Sequence, residues 1–446
     1  MRIIKNVALL VLSVFMLPSC QDNQEYYSQT PLQEDLENQI ITLFGSTDVL
    51  LLPQSDDFNN IPSDENNPLT AAKVKLGKFL FHETSIAKSP MKEEGMSTYS
   101  CASCHHAAAG FQSGLLQGIG EGGIGFGIHG EGRVKSPNYD ESDIDVQPIR
   151  SPSVLNSAYQ QVMLWNGQFG AKGLNVGTEA QWTPDTPKAA NLQGFEGVET
   201  QAIAGLSVHR LMLDKDIIAN SNYKALFDEG FPNVIESERY TLLNGALAIA
   251  AFERTVLPND SPFQHWLNGD TQAMSEDEIK GGILFFDKAK CYTCHSGPGL
   301  NGMSFHALGM HDLTGENVLT VVDDATKKGR GGFTGKAEDD YKFKTPQLYN
   351  LLDVSFYGHG GSFESVRDVI SYKNNAVAEN KLVPSGQISS SFEPLGLTET
   401  EIDLLTLFVE RSLYDSNLKR YQPEALPSGN CVINADSQSS QDMGCD

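Results

Sequence analysis

Two short motifs contain the clearest chemistry of this 446-residue sequence. They are CASCH at residues 101–105 and CYTCH at residues 291–295, and each places two thiols and an imidazole on one side of a helical turn. The pattern C-x-x-C-H is typical of c-type haem attachment, in which the thiols bind the two vinyl groups and the histidine binds the iron. We therefore predict two covalently bound haem c groups. The residues involved are Cys101, Cys104, His105, Cys291, Cys294 and His295.

Two other uses of such motifs fit the sequence less well. A thioredoxin-like redox pair does not need a histidine in both copies, and it lies early in a βαβ unit that is not visible here. Two zinc knuckles would keep their cysteine and histidine groups close in sequence, whereas 190 residues separate the two motifs.

The composition indicates a globular, acidic protein. Forty per cent of the residues are hydrophobic and 20% are charged, and the length suits two or three domains. Lys and Arg number 32 against 57 Asp and Glu, which gives a net charge of −25 with histidine neutral. Because such a surface repels phosphate backbones, we predict no nucleic-acid partner.

The first 20 residues resemble an export signal. A positively charged start precedes an apolar run over residues 7–17, which is too short to span a bilayer. The letters LPSC at residues 17–20 resemble the lipobox of bacterial lipoproteins, so we predict lipidation of Cys20 and a membrane anchor, with plain secretion as the alternative. Residues 21–66 are predicted to be an acidic, polar tether with a short helix within residues 36–52.

Helical patterns dominate the remaining chain. Residues 240–256 show the helical spacing of apolar residues, and capping boxes predict further helices at Ser275 and Thr398. Long glycine-rich loops lie between these segments, notably residues 110–132. The predicted fold class is all-α, with two cytochrome c-like haem domains and long Gly-rich loops.

The two halves of the chain contain a similar segment before each motif. LGKFLF at residues 76–81 precedes the first motif as GILFF at residues 282–286 precedes the second, so we infer an internal duplication. Its boundary is expected in the turn-rich stretch at residues 258–262. The predicted organisation is a signal peptide at 1–20, a tether at 21–66, haem domains at 67–260 and 261–425, and a polar tail at 426–446.

The tail contains the last two cysteines, Cys431 and Cys445. They enclose a polar stretch without histidine or a metal-like spacing, and we predict a disulfide between them. Two unpaired thiols are the alternative.

With two haem motifs in a duplicated helical chain, the sequence resembles the bacterial di-haem cytochrome c peroxidase family, which includes the MauG-type protein-oxidising enzymes. The resemblance covers residues 67–425. Its landmarks, in chain order, are LGKFLFHETSIA, SCASCHHAAAGF, IRSPSVLNSAY, MLWNGQF, AFERTVLPNDSPFQHWLNGD, CYTCHSGP, FHALG and FKTPQLYNLLDVSFYGHGGSF.

The resemblance implies a division of labour between the two haems. The N-terminal haem would be peroxidatic, with an open sixth position for hydrogen peroxide, and the C-terminal haem would accept electrons from a small cytochrome c or cupredoxin. His105 and His295 match the proximal ligands. Trp165 matches a buried tryptophan on the electron route between the haems, and core packing is the alternative for this side chain.

Three further residues follow from the resemblance at the peroxidatic haem. The family moves a proton between the peroxide oxygens with a Gln and a Glu about ten residues further on. Gln201 matches the Gln, and we propose His209 in place of the missing Glu, because imidazole accepts and donates protons near neutral pH. His129, in the glycine-rich loop, matches a histidine that blocks the iron in several resting relatives. The alternatives are a structural His209 and a plain exposed His129.

The sixth ligand of the C-terminal haem separates the subfamilies, since Met suits ordinary electron acceptance and Tyr suits MauG-type chemistry. By spacing, Lys373 falls on the ligand position and Tyr372 lies one residue early. Met310 is our candidate and Met303 is another reachable thioether, with hydrophobic packing as the alternative for each. The sequence leaves all four residues open.

The resemblance also covers assembly and function. The family holds a calcium ion between its domains and commonly forms homodimers, although Arg150 stands where the family has a calcium-binding Asn. The leading hypothesis is a lipid-anchored periplasmic peroxidase that reduces hydrogen peroxide to water with electrons from a small redox protein. The alternatives are a MauG-type enzyme that oxidises a protein or a small molecule, and a membrane-tethered electron carrier without peroxide turnover.

Overall fold

The computed structural model describes residues 29–219 and 221–445, and helices dominate this part of the chain. The α-helices are α1 (Pro31–Phe44), α2 (Ala71–His82), α3 (Gly197–Val208), α4 (Lys215–Ala219), α5 (Tyr223–Gly230), α6 (Glu236–Arg239), α7 (Leu242–Arg254), α8 (Pro262–Leu267), α9 (Glu276–Phe286), α10 (Asp324–Lys327), α11 (Arg330–Thr334), α12 (Val366–Asn375), α13 (Glu399–Leu407) and α14 (Ser437–Met443). The prediction of a helical fold is confirmed at this level. The predicted signal peptide and the lipidation site Cys20 lie outside the described residues.

Strands are few and short in the described chain. β1 (Gly123–Ile124) pairs with β2 (Val134–Lys135), and β3 (Phe305–His306) pairs with β4 (Phe343–Lys344), both antiparallel. One π-helical turn, Phe408–Ser412, continues α13. No helix in the described ranges has both the length and the apolar character needed to cross a bilayer.

A close crossing of α2 on α7 forms the core of the N-terminal half, with α3 and α5 packed around it. The side chain of Thr70 caps α2 by accepting a hydrogen bond from the backbone amide of Lys73. Gly77 lies at the crossing, where a Cβ atom would overlap the carbonyl oxygen of Ala248. Only glycine therefore permits the two backbones to approach this closely.

The C-terminal half repeats this arrangement with α9 and α13. Both predicted capping boxes are confirmed, because the side chains of Ser275 and Thr398 accept hydrogen bonds from the N3 amides of their helices. Gly281 lies at the crossing, where a Cβ atom would overlap the carbonyl oxygen of Leu404. Each half thus has a helix that precedes its haem motif and crosses a second helix at a glycine.

The prediction of a solvated tether over residues 21–66 is wrong from residue 31 onward. Helix α1 packs against α9, and Leu36 is fully buried. The ring of Phe44 makes an edge-on contact with Tyr292 of the second motif, at 6.2 Å between ring centres. The polar residues belong to the outer face of an amphipathic helix, which composition alone does not distinguish from a tether.

The C-terminal tail, residues 426–445, packs on the N-terminal half of the chain, whereas helix α1 packs on the C-terminal half. Cys431 and Cys445 form a disulfide, with 5.6 Å between their Cα atoms. In α14, the Asp442 carboxylate accepts hydrogen bonds from the backbone amides of Phe126 and Gly127, at 2.7 and 3.1 Å. The tail therefore packs on the glycine-rich loop rather than extending into solvent.

We expect Gly77→Ala and Gly281→Ala to destabilise the holoprotein, because each added methyl group would overlap a carbonyl oxygen of the crossing helix. Overpacking of this kind lowers the free energy of unfolding by about 1–3 kcal/mol. Denaturant titration would measure it. Gly386→Ala is the matched control, since a Cβ atom there meets open space. Equal losses in all three variants would contradict the crossing-helix explanation.

Candidate functional site

A cavity of about 500 Å³ opens beside the second motif, and we call it the second cavity after that motif. Its walls include Cys291, Cys294 and His295. Apolar side chains from α9, α12 and α13 complete much of the lining, among them Phe285, Ile370 and Leu405. A largely apolar cofactor of haem size needs a cavity of this kind, with a few polar groups that fix its orientation.

The imidazole of His295 is oriented for metal binding. Its Nδ1 lies 2.9 Å from the carbonyl oxygen of Leu300. Because a carbonyl only accepts, Nδ1 carries the proton and Nε2 is left as the ligand atom. Burial lowers the pKa of His295 to about 4, so the ring is neutral, as ligation requires.

The first motif repeats this arrangement. Nδ1 of His105 faces the carbonyl oxygen of Phe111 at 3.4 Å, and burial lowers the pKa of this histidine to about 4. Beside Cys101, one carboxyl oxygen of Glu253 is buried without a hydrogen-bond partner within the described residues. Such an orphaned polar atom is expected where a bound group completes the site. Both motifs therefore fit covalently attached haem.

A histidine–aspartate pair lies within electrostatic reach of the first motif. Nδ1 of His209 is 2.8 Å from Oδ2 of Asp145, and a positive charge on His209 contributes to the lowered pKa of His105. Burial lowers the pKa of His209, but the Asp145 carboxylate more than offsets this effect and leaves that pKa above its ordinary value. No local pattern in the sequence marks Asp145, which precedes His209 by 64 residues.

Gln201 lies on the same structural element as His209. It is half-buried in α3, and His209 directly follows the last residue of that helix. Eight residues of helix correspond to about 12 Å along the axis, so the two side chains lie about two turns apart along α3. The structure shows no contact between them in the described chain.

Trp165 is held in the wall of the second cavity, where its indole Nε1 donates to the carbonyl oxygen of Arg150 at 2.8 Å. The segment that begins at Arg150 reaches both motifs. Pro152 and Ser153 line the cavity, while the Pro152 carbonyl is also a hydrogen-bond acceptor for His105. This segment and Trp165 therefore connect the surroundings of the two motifs.

The position of Arg150 does not fit a calcium ion. Its guanidinium is buried and donates to the Oε1 atom of Gln112, and burial lowers its pKa to about 10. Calcium requires a shell of oxygen ligands, whereas here the buried guanidinium of Arg150 already binds the amide oxygen of Gln112. Asp64, Glu196 and Glu199 form a separate acidic cluster that could hold a metal ion. Lys172 and Arg254 make ion pairs with that cluster.

His129 lies beside the first motif but is exposed. Its Nδ1 lies 2.8 Å from the carbonyl oxygen of Ala108, and its own carbonyl oxygen accepts from Nε2 of His106 at 3.0 Å. The loop that carries His129 is therefore hydrogen-bonded in place in this structure.

The four candidates for the sixth ligand of the second haem differ in whether they line the cavity. Met310 and Lys373 line the cavity. Tyr372 and Met303 are not part of its wall. The hydroxyl group of Tyr372 donates to the carbonyl oxygen of Leu308 at 2.6 Å.

Comparison with known proteins identifies the family. The model of the di-haem cytochrome c peroxidase family matches residues 71–272. Cytochrome-c peroxidase IdrP1 of Denitromonas iodatirespirans is 28% identical over 371 residues, which cover 78% of this chain and 84% of the relative. Methylamine utilization protein MauG of Methylorubrum extorquens is 28% identical over 353 residues, which cover 79% of this chain and 81% of the relative. The chain belongs to the di-haem cytochrome c peroxidase family.

A solved structure of another protein has the same fold as this chain. It is a MauG-like protein associated with microbial copper homeostasis, 24% identical, with a TM-score of 0.54. The superposition covers 82% of this chain and 95% of that protein. As a di-haem peroxidase homologue, the chain is an oxidoreductase with two covalently bound haem c groups.

We expect each motif to bind its haem independently. The double substitution of Cys101→Ala with Cys104→Ala should reduce the bound haem from two groups to one per chain, because thioether formation needs the thiols. The corresponding changes at Cys291 and Cys294 should do the same. Intact-protein mass spectrometry under denaturing conditions measures the covalent haem.

The control is the double variant Cys431→Ala with Cys445→Ala, which removes the disulfide and should retain both haems. Two covalent haems after loss of either motif would contradict the assignment.

Proposed function

We propose that this protein is a periplasmic peroxidase that reduces hydrogen peroxide to two molecules of water. The reaction consumes two protons and two electrons, and the electrons come from a small cytochrome c or cupredoxin. The observation that carries the proposal is the His209–Asp145 pair beside the first motif, because splitting peroxide requires a group that both accepts and donates a proton. The name of IdrP1, a cytochrome-c peroxidase, agrees with it.

The two motifs divide the chain between two cytochrome c-like haem domains, at residues 67–260 and 261–425. Cys101 and Cys104 attach the peroxidatic haem with His105 as its proximal ligand, and the matching residues of the second motif attach the electron-accepting haem. When bound, the first haem supplies the iron at which peroxide is reduced. The neutral, Nδ1-protonated imidazoles described above are the forms that this assignment needs.

His209 acts as the acid–base group. Because its Nδ1 is bound to Asp145, Nε2 is the atom that takes the proton from one peroxide oxygen and returns it to the other, which leaves as water. Asp145 fixes the tautomer and stabilises the imidazolium between these two transfers. Gln201 orients the peroxide through a hydrogen bond from its amide.

Trp165 lies on the electron route between the two sites. Its indole ring contacts the second cavity, and its hydrogen bond to the Arg150 carbonyl links it to the segment that reaches His105. His129 would block the peroxidatic haem in the resting state, and for this its loop would have to release the hydrogen bonds to Ala108 and His106. The net charge of −25 favours an electron donor with a basic docking face. Lipidation of Cys20 anchors the protein, and a homodimer is the expected assembly.

The second candidate function, a MauG-type oxidation of another molecule, requires a tyrosine at the second iron. The Tyr372 hydroxyl is bound to the Leu308 carbonyl and does not line the cavity, which supports the peroxidase instead.

The test is stopped-flow absorbance of the holoprotein mixed with hydrogen peroxide and a reduced small cytochrome. A peroxidase oxidises the donor rapidly, at two donor molecules per peroxide, and a gating loop makes this depend on prior reduction by one electron. A long-lived peroxide-dependent spectrum without donor oxidation would support the MauG-type function. If peroxide causes no spectral change in either redox state, the remaining hypothesis is an electron carrier without peroxide turnover.

We expect Asp145→Asn to change the pH dependence of the reaction. The Asp145 charge raises the pKa of His209, while burial and the nearby Arg210 lower it. Without the carboxylate that pKa falls, so the limb of the pH–rate profile that reports His209 should move to lower pH. His209→Leu should lower the rate of the peroxide step by about 100-fold or more, since general acid–base catalysis contributes at least that much.

The control pair is His265 and Asp260, an exposed ion pair of the same 2.8 Å length. Asp260→Asn should leave the rate and its pH profile unchanged. If Asp145→Asn also leaves the profile unchanged, His209 is not the acid–base group.

A further inference from the structure

The wall of the second cavity contains several side chains that could bind a metal. Most of them are already engaged in hydrogen bonds. His306 has Ser304 at 2.8 Å from Nε2 and Ser389 at 3.2 Å from Nδ1. His359 stacks on Phe343 and lies 3.4 Å from Asp312 through Nε2. These two imidazoles are therefore committed to other partners.

Two buried cations of the wall are also engaged in hydrogen bonds. The Lys344 amine donates to Gln160 and to the carbonyl oxygen of Val162. The Arg150 guanidinium donates to Gln112. Both are suited to pair with the carboxylates of a bound cofactor while they keep these hydrogen bonds.

Lys373 is the exception. Within residues 29–219 and 221–445, its amine has no hydrogen-bond acceptor and no ion-pair partner, and it lies 5.5 Å from the centre of the Phe392 ring. A positive charge on Lys373 acts on both thiols of the second motif and on His295. Lys373 lines the same cavity as His295.

We propose that the Lys373 amine is the second axial ligand of the C-terminal haem, opposite His295. This inference rests on the proposed haem attachment at the second motif. As a neutral ligand, the amine gains a partner inside an apolar cavity, where an unpaired ammonium would be costly. Met310 also lines the cavity, but a thioether packs there at no such cost.

Amine ligation has a consequence for electron transfer. Nitrogen is a harder donor than a thioether sulfur, so it stabilises the ferric state and lowers the reduction potential relative to a methionine ligand. The second haem should therefore have a lower potential than a His/Met haem in the same cavity.

The experiment is low-temperature electron paramagnetic resonance and near-infrared magnetic circular dichroism of the ferric holoprotein. Lys373→Ala should convert one haem per chain from low spin to high spin. Lys373→Met should restore a low-spin haem with a thioether-to-iron charge-transfer band and a higher potential in a redox titration. Met310→Leu and the exposed control Lys381→Ala should leave the spectrum unchanged.

A low-spin spectrum that survives in Lys373→Ala and is lost in Met310→Leu would overturn the inference. Covalent haem content, measured on each variant by mass spectrometry, separates loss of the ligand from failure to fold. Peroxide turnover is measured separately on the unmodified protein. An inactive protein whose second haem still changes spin state in Lys373→Ala would refute the proposed function and leave the ligand assignment standing.

Discussion

One buried ion pair connects the parts of the chain that form the first site. Arg254 of α7 and Glu199 of α3 are fully buried and joined by two hydrogen bonds of 2.7 and 2.8 Å. The guanidinium also donates to the carbonyl oxygen of Pro62, and Asn67 donates to the Glu199 carboxylate. Removing one partner of such a pair typically costs about 3–5 kcal/mol, because the other charge is left buried. The pair therefore fixes α3, with Gln201 and His209, against the helix that crosses α2.

The sequence predicted the features that depend on neighbouring residues. The two haem motifs and the capping boxes at Ser275 and Thr398 are complete within a few residues, so their geometry follows from local spacing. The partnership of His209 with Asp145 depends on the packed fold, and no local pattern marks it. Helix α1 was mistaken for a tether because its apolar face is narrow and its partner, α9, lies over 200 residues away.

Helix geometry explains why adjacent residues of α12 have different surroundings. Successive residues of an α-helix point about 100° apart, so a helix that directs Lys373 toward the cavity directs Tyr372 away from it. Val366, Val369 and Ile370 of this helix line the cavity together with Lys373, while the Tyr372 hydroxyl donates to the Leu308 carbonyl. The packing of this apolar face, together with that hydrogen bond, therefore determines which side chain faces the haem site, a choice that spacing in the sequence left open.

The packing of residues 431–445 places distant parts of the chain side by side. Ser103 donates to Asn434 at 2.6 Å, and Asp436 pairs with Arg133. Ser103 lies between the two cysteines of the first motif. The disulfide between Cys431 and Cys445 closes the segment that holds Asn434, so a disturbance of that disulfide reaches the first motif directly, although 331 residues of chain separate Ser103 from Asn434.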